Sequence, residues 1–135
     1  MRPYLGARAE IVAGCPCVIE SDAVGQPHGV VFEDDGGTGY FYARDYRIEG
    51  SLFVDALHVY TVKEGSEGER PSSLRIIWSN DWRKAALLIN DSPLAMFDFE
   101  RRTGYSLDVF PDPDPKSGWH RAPWSSDLKG HFYQD

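Results

Sequence analysis

Short apolar runs, separated by glycine and proline, are the dominant pattern along this chain of 135 residues. The runs are rich in Val, Ile, Phe, Tyr and Trp, which pack well on a pleated sheet. Their length of about four to eight residues is typical of strands and too short for most helices. The pattern therefore predicts a mainly β protein with a minor α+β component.

The predicted architecture is a single domain over residues 1–135. It is built on an antiparallel meander sheet of about 6–8 strands, curled or sandwich-like. A short C-terminal helix is expected in "SSDLKGHF", because Ser125 suits an N-cap and Asp127 suits a first turn.

The stretch "GVVFEDDGGTGYFYARD" predicts a β-hairpin. Two alternating runs, Val30–Glu33 and Tyr40–Arg44, flank the turn sequence Asp34-Asp35-Gly36-Gly37-Thr38. Glycine reaches the positive φ that a tight hairpin turn requires. The two runs should therefore pair with each other.

Three consecutive strands are predicted between Leu74 and Glu100, in "SLRIIWS", "KAALLIN" and "LAMFDFE". The clusters Asn80–Arg83 and Asn90–Pro93 are typical of turns. They confine "KAALLIN" to seven residues, too few for an ordinary helix. We interpret these runs as an antiparallel meander that forms scaffold, so that recognition is left to loops and borders.

Four further runs predict strands, and the region after them is expected to be irregular. "AEIVAG" and "CVIES" flank Pro16, which restricts the nearby strand to a sheet edge. "SLFVDALHVYTVKEG" predicts a long central strand, because apolar residues fall on both of its faces. "YSLDVF" predicts a last strand, and "PDPDPKSG" must be loop, since proline cannot donate ladder hydrogen bonds.

The charge argues against nucleic acid as a partner. The formal net charge is −7, from 21 acidic and 14 basic residues, and the basic residues are scattered along the chain. Binding to phosphate backbones needs clustered positive charge. A basic protein partner is compatible, because opposite fields speed encounter.

Targeting signals and membrane spans are not expected. Val12–Cys15 resembles a lipoprotein cleavage box, but no apolar run of about 7 to 15 residues precedes it. No stretch approaches the roughly 18 apolar residues of a membrane span. We therefore expect a cytoplasmic protein that has no membrane partner.

Cys15 and Cys17 are expected to be reduced thiols in or near the core. A strained disulfide or a pair of metal ligands is the alternative. The four histidines lack the paired spacing of a zinc site, so no metal and no cofactor are expected.

The sequence contains no recognisable catalytic motif: it has no nucleophile elbow, phosphate loop or H-E-x-x-H motif. Asp55 and His58 each interrupt an apolar strand, where a buried ionisable group needs a partner. Alternation places them on opposite faces, so they cannot pair directly without a bulge. Asp112-Pro113-Asp114 superficially matches a metal-binding pair but is expected to be a solvated loop.

The segment Trp119–Trp124 carries a second set of candidates. Trp119, Arg121 and Trp124 are residue types that anchor protein interfaces. Tryptophans in small β proteins also close the open end of a sheet against its core. Both roles remain open at this point.

The meander "IIWSNDWRKAALLINDSPLAMFDFE", with "FEDDGGTGYFYARD" and "VDALHVY" upstream, resembles a family of small bacterial domains of unknown function. The likeness covers most of residues 28–110 and implies no activity or catalytic residue. Chains of this small, acidic build also look like immunity proteins, which block toxins in competition between bacteria.

Two functions of different classes follow. The first is a protein-binding module, most specifically a toxin-neutralising immunity-like protein, in which Glu33, Asp34 and Asp35 would meet a basic toxin domain. The alternative is a small-molecule-binding protein or enzyme with a pocket near His58 and Asp55, although the missing motifs argue against an enzyme. Homodimer formation through an exposed strand edge is a third expectation.

Overall fold

A computed structural model describes residues 3–48, 53–63 and 70–133. Within these ranges the chain forms ten strands, a 3₁₀ turn and one turn of α-helix. The strands are β1 (Tyr4–Ile11), β2 (Cys17–Asp22), β3 (His28–Asp34), β4 (Thr38–Asp45), β5 (Asp55–Thr61), β6 (Ser72–Trp78), β7 (Lys84–Ile89), β8 (Ser92–Asp98), β9 (Thr103–Ser106) and β10 (His120–Pro123); the 3₁₀ turn is Ser126–Lys129 and α1 is Gly130–Tyr133.

The strands form two sheets, one with the order β1-β6-β7-β8-β9-β10 and one with the order β2-β3-β4-β5. Neighbours are antiparallel apart from β9 and β10, which are parallel. The mainly β, sandwich-like fold predicted from the sequence is confirmed, but the described residues form ten strands in two sheets rather than about 6–8 strands in one meander.

The main core lies between the two sheets. Alternate residues of the four-stranded sheet meet alternate residues of the six-stranded sheet, as the period of two requires. The fully buried members of this core include Val30, Phe32, Phe41, Leu57, Leu74, Ile76, Trp78, Leu87 and Phe97.

A second apolar cluster covers the opposite face of the six-stranded sheet. There Ile77, Ala86, Leu88 and Met96 pack under Phe132 of α1. Because β7 is covered on both faces, its sequence is continuously apolar rather than alternating. The short C-terminal helix is confirmed, although Ser125 makes no side-chain capping hydrogen bond.

The predicted hairpin and meander are both confirmed. β3 pairs with β4 from His28↔Asp45 to Asp34↔Gly39, and β6, β7 and β8 pair in sequence order. Pro16 lies between β1 and β2, which are edge strands of different sheets as expected.

Four local predictions are wrong. The strand predicted over residues 105–110 ends at Ser106, because β9 is Thr103–Ser106 and residues 107–110 form a loop. β5 is the last strand of its sheet rather than a central one; its backbone is covered instead by the 107–118 loop, where Phe110 O accepts a hydrogen bond of 2.8 Å from His58 N. β1 lies over Tyr4–Ile11 rather than over the predicted residues 9–14. Residues 120–123, expected to be irregular, form β10 beside β9.

Candidate functional site

A β-bulge in β5 sets which side chains reach the outer face of the four-stranded sheet. Gly39 pairs with Tyr60 and Tyr40 pairs with His58, so Val59 has no partner. Simple alternation would place His58 and Thr61 on opposite faces, but the extra residue places them together on the outer face. Tyr60 turns inward, and its hydroxyl donates to Asp34 at 2.6 Å.

His58 is held by two side chains. Its Nδ1 lies 2.6 Å from Asp108 Oδ2, and its Nε2 lies 2.8 Å from Thr61 Oγ1. A carboxylate can only accept, so in the neutral ring Nδ1 carries the hydrogen and Nε2 accepts from the Thr61 hydroxyl. The imidazole therefore has one defined tautomer and one defined orientation.

Residues Leu107–Phe110, which we call the apolar loop, expose three apolar side chains beside this histidine. Leu107 is 64% exposed, Val109 41% and Phe110 54%. Val109 has a φ of +51°, which is an outlier for a β-branched residue. Such backbone strain costs about 1–3 kcal/mol and concentrates at functional positions.

The strained loop is held in place by Asp108. One carboxylate oxygen accepts from Phe110 N at 3.1 Å and from the Ser106 hydroxyl at 3.4 Å. The other oxygen binds His58 at 2.6 Å. A single side chain thus joins the apolar loop to β5.

Aromatic rings continue from the apolar loop across the outer face of the sheet. The ring centroids of His58 and Phe110 lie 6.1 Å apart, and those of His58 and Tyr40 lie 5.5 Å apart. Tyr42 follows at 5.8 Å from Tyr40, and Phe53 follows at 4.2 Å from Tyr42. We call these five residues the aromatic row.

An open groove of about 290 Å³ runs beside the aromatic row. Tyr42, Phe53 and Pro111 contribute its apolar surface, and the exposed acids Asp112 and Asp114 lie along it. Burial raises the pKa of the Tyr42 phenol, and the charge of Glu33 adds to this shift, so Tyr42 stays neutral at physiological pH. The groove combines ring faces with negative charge.

The predicted acidic face does not form one surface. Asp34 is 1% exposed and accepts from Gly14 N, Gly36 N and the Tyr60 hydroxyl, so its proposed contact with a partner is wrong. Asp35 is exposed in the hairpin turn, where the Gly37 and Thr38 N–H groups lower its pKa. Glu33 alone lies on the outer face, paired across the strands with Tyr40.

Asp55 and Arg121 form a buried ion pair. Arg121 Nη1 and Nη2 each lie 2.6 Å from an oxygen of Asp55, and the side chains are 6% and 2% exposed for Arg121 and Asp55. Arg121 also donates to Pro111 O at 2.9 Å and to Ala56 O at 3.2 Å. Asp55 borders the groove, but its carboxylate is fully engaged. Arg121 therefore has a structural role rather than the predicted interface role. The pocket role of Asp55 stays a prediction, because Asp55 lines the groove while its carboxylate binds Arg121.

The two tryptophans of the candidate segment lie in different places. Trp119 is 8% exposed and packs edge-on against Phe97 and Phe99 at 5.8 and 5.5 Å, so it closes the core and is not an interface residue. Trp124 is half-buried beside Phe132 on the far face of the six-stranded sheet, at a cavity of about 180 Å³. They cannot contribute to one interface.

The cysteines are free thiols, Cys15 exposed and Cys17 half-buried. Only Cys17 packs against the core, so the predicted core position is wrong for Cys15. Burial raises the pKa of the Cys17 thiol. Within residues 3–48, 53–63 and 70–133, no three His, Cys, Asp or Glu side chains converge on a point that could hold a metal. None of the helices in that part of the chain is long and apolar enough to cross a membrane.

Sequence reasoning identified His58 but missed Thr61, Asp108 and the apolar loop. His58 and Asp108 are 50 residues apart, and no local signal marks their meeting. The one signal in the sequence was the ionisable His58 within an otherwise apolar run, which indicates a side chain with a polar partner.

Two packed sheets, with an aromatic row on the outer face of the smaller one, define this chain as a mainly β protein. It belongs to the family described as "Uncharacterized protein conserved in bacteria (DUF2251)", whose model matches residues 11–133. An "Uncharacterized protein" of Haemophilus influenzae is 41% identical over 119 residues, covering 87% of this chain and 74% of the relative. No solved structure matches the chain significantly.

Proposed function

We propose that this chain is a protein-binding module that receives a basic partner on the outer face of its four-stranded sheet. The observation that carries the proposal is the exposure of the apolar loop and the aromatic row beside one another. Aromatic and apolar anchors supply most of the binding energy in protein interfaces. Exposed neighbouring apolar side chains on a small protein are typical of such a surface.

The charge around this face favours a basic partner. Glu33, Asp108, Asp112 and Asp114 lie beside or between the rings, and the whole chain carries −7. Lysine and arginine side chains can pair with these carboxylates and lie over the tyrosine faces. Complementary charge should raise the association rate at low salt and lose this effect at high salt.

The specific partner we propose is a basic toxin domain, which the chain would neutralise by covering its surface. A small acidic protein of a bacterial family is compatible with this immunity-like role. We place the complex in the cytoplasm, where the free thiols of Cys15 and Cys17 would stay reduced.

The test is capture of the partner by tagged protein in its native cell, identified by mass spectrometry at low and high salt. Phe110→Asp places a charge at the centre of the proposed interface. Val24→Asp is the matched control, because Val24 is 66% exposed and Phe110 54% exposed, and Val24 lies outside the aromatic row.

The proposal predicts that Val24→Asp captures the same basic protein as the wild type and that Phe110→Asp loses it. Capture should also weaken as salt rises. Equal capture by both variants, or a partner with an acidic surface, would contradict the proposal. Sedimentation of the purified chain would show whether the same face instead forms a homodimer.

A further inference from the structure

Asp108, His58 and Thr61 are connected in the order that activates a hydroxyl nucleophile. A carboxylate accepts from Nδ1 at 2.6 Å, and Nε2 lies 2.8 Å from a hydroxyl oxygen. These distances lie within the hydrogen-bond reach that a nucleophile and its base require. A carboxylate that fixes the tautomer of the base completes the arrangement.

The three groups are accessible to a small molecule. Thr61 is exposed, and the His58 and Asp108 side chains are 17% and 45% exposed. The bulge at Val59 is what brings His58 and Thr61 to one face, and bulges are over-represented beside active sites because they redirect side chains.

We propose that Thr61 is the nucleophile of an acyl-transfer reaction that hydrolyses cationic esters. The Thr61 oxygen attacks the ester carbonyl while His58 Nε2 takes the hydroxyl proton. As the ester C–O bond breaks, His58 returns this proton to the leaving alcohol, and the acyl group remains on Thr61. Water then attacks the acyl group, His58 takes a proton from the water and returns it to the Thr61 oxygen, and a carboxylic acid leaves.

The preference for a cationic ester follows from the surroundings of His58. The Tyr40 ring lies 5.5 Å from the imidazole and Tyr42 follows at 5.8 Å. Aromatic faces of this kind attract ammonium groups, including quaternary ones. Glu33 beside Tyr40 adds negative charge, which repels an anionic substrate.

Asp108 is a positioning residue in this proposal. It does not contact the substrate carbonyl but holds the His58 ring with Nε2 towards Thr61. It also stabilises the imidazolium that forms when the proton is taken. Its replacement should lower kcat far more than it raises KM, because it loosens the Phe110 end of the aromatic row and leaves the stacked Tyr40 and Tyr42 rings in place.

The experiment follows the hydrolysis of butyrylcholine, p-nitrophenyl butyrate and a sulfonated butyrate ester by the full chain. We expect the cationic ester to react about tenfold faster than the anionic one, from cation–π attraction. Acid-quenched samples should carry the butyryl group on Thr61 by peptide mass spectrometry. Thr61→Val and His58→Gln should lose the activity, and Thr61→Ser should retain it.

Two matched controls separate this chemistry from general surface reactivity. Thr103 also uses its hydroxyl as a donor, to Arg101 O at 3.1 Å, and His120 is an exposed histidine on β10. Thr103→Val and His120→Gln should keep the activity of the wild type. Asp108→Asn should lower kcat by about a hundredfold or more, and Asp108→Glu should restore part of it.

The proposal is overturned if none of the three esters is hydrolysed, if Thr61→Val reacts like the wild type, or if the acyl group is found on a lysine or on Cys15. It does not depend on partner binding. Thr61→Val should still capture the partner, so failure of one proposal is distinguishable from failure of the other.

Discussion

Two hydrogen-bonded pairs of ionisable side chains, three positions apart on β5, differ in their burial and in the number of contacts that join them. Asp55 pairs with Arg121 through two contacts of 2.6 Å, and the two side chains are 2% and 6% exposed. His58 pairs with Asp108 through one contact of 2.6 Å, and those side chains are 17% and 45% exposed. The first pair is buried from solvent, whereas the second pair is accessible from solvent.

One strand therefore carries a buried structural pair and a second pair that, in our proposal, supports recognition. The buried pair ties β10 and the 107–118 loop to β5, because Arg121 also donates to Pro111 O and Ala56 O. The exposed pair holds a strained apolar loop beside an aromatic row. We therefore expect changes at the first pair to affect folding and changes at the second to affect function.

Arg121→Met should have the largest effect on stability. The substitution leaves the Asp55 carboxylate buried without its partner, which typically costs about 3–5 kcal/mol of unfolding free energy. Urea denaturation followed by tryptophan fluorescence measures the loss. The double variant Asp55→Leu with Arg121→Met should be more stable than the single variant, because no unpaired buried charge remains. Equal stability of the two variants would contradict the predicted cost of an unpaired Asp55 carboxylate.

Gly104→Ala should disrupt the Asp55–Arg121 pair through a steric clash rather than through loss of a charge. A Cβ at Gly104 would overlap Arg121 Nη1 and come within 2.7 Å of Asp55 Oδ2. Overpacking of this kind costs about 1–3 kcal/mol. The matched control is Gly37→Ala, whose nearest contact is Asp35 Oδ1 at 3.7 Å. Equal melting temperatures of the two variants would contradict the predicted clash.

His28 is a third ionisable side chain that extends the comparison of the two pairs. It is buried, and its hydrogen bond is to a neutral backbone carbonyl rather than to a charged side chain. Its ring stacks on Phe99 at 3.9 Å, its Nε2–H donates to Trp82 O at 2.7 Å, and burial lowers its pKa below the ordinary 6.5. In the unfolded chain His28 binds a proton near that pH, whereas in the folded chain it stays neutral to lower pH. Acid therefore favours the unfolded chain.

Stability should therefore fall as pH drops below the ordinary histidine value. Urea denaturation at a series of pH values measures the slope. His28→Leu should flatten that slope, whereas His120→Gln should not, because His120 is exposed. An identical slope in wild type and His28→Leu would show that other groups carry the acid sensitivity.

Asp108→Asn should have the smallest effect on global stability, below about 1 kcal/mol, as for other exposed pairs. The same variant should increase hydrogen exchange at Val109 and Phe110, because Asp108 Oδ1 accepts from Phe110 N. Asp91→Asn, which removes the exposed pair with Arg75, is the control and should leave the apolar loop unchanged. A loss as large as that of Arg121→Met would contradict the distinction between the two pairs.

The scaffold was predictable from sequence because its signals are local. The hairpin of β3 and β4 follows from glycine in the turn, and the meander of β6 to β8 follows from turn residues that confine each apolar run. β10 was missed because it has four residues, ends in proline and pairs with β9 rather than through a hairpin. Its existence depends on a tertiary contact.

The candidate site was only partly predictable, because its contacts join distant positions. Arg121 and Asp55 are 66 residues apart, so neither could be recognised as the other's partner. Asp34 was mistaken for a surface acid because the sequence does not show that two backbone N–H groups and a tyrosine hydroxyl surround it. The bulge at Val59 depends on strand pairing and has no signature in the residue itself.

The central claim is that recognition occurs on the outer face of the four-stranded sheet. The most direct test is an NMR titration with an arginine-rich peptide that also carries tryptophan, at low and high salt. We predict that shift changes concentrate at Tyr40, Tyr42, His58 and Phe110 and weaken as salt rises. Changes centred on the six-stranded sheet, around Asp91 or Trp124, would contradict the account.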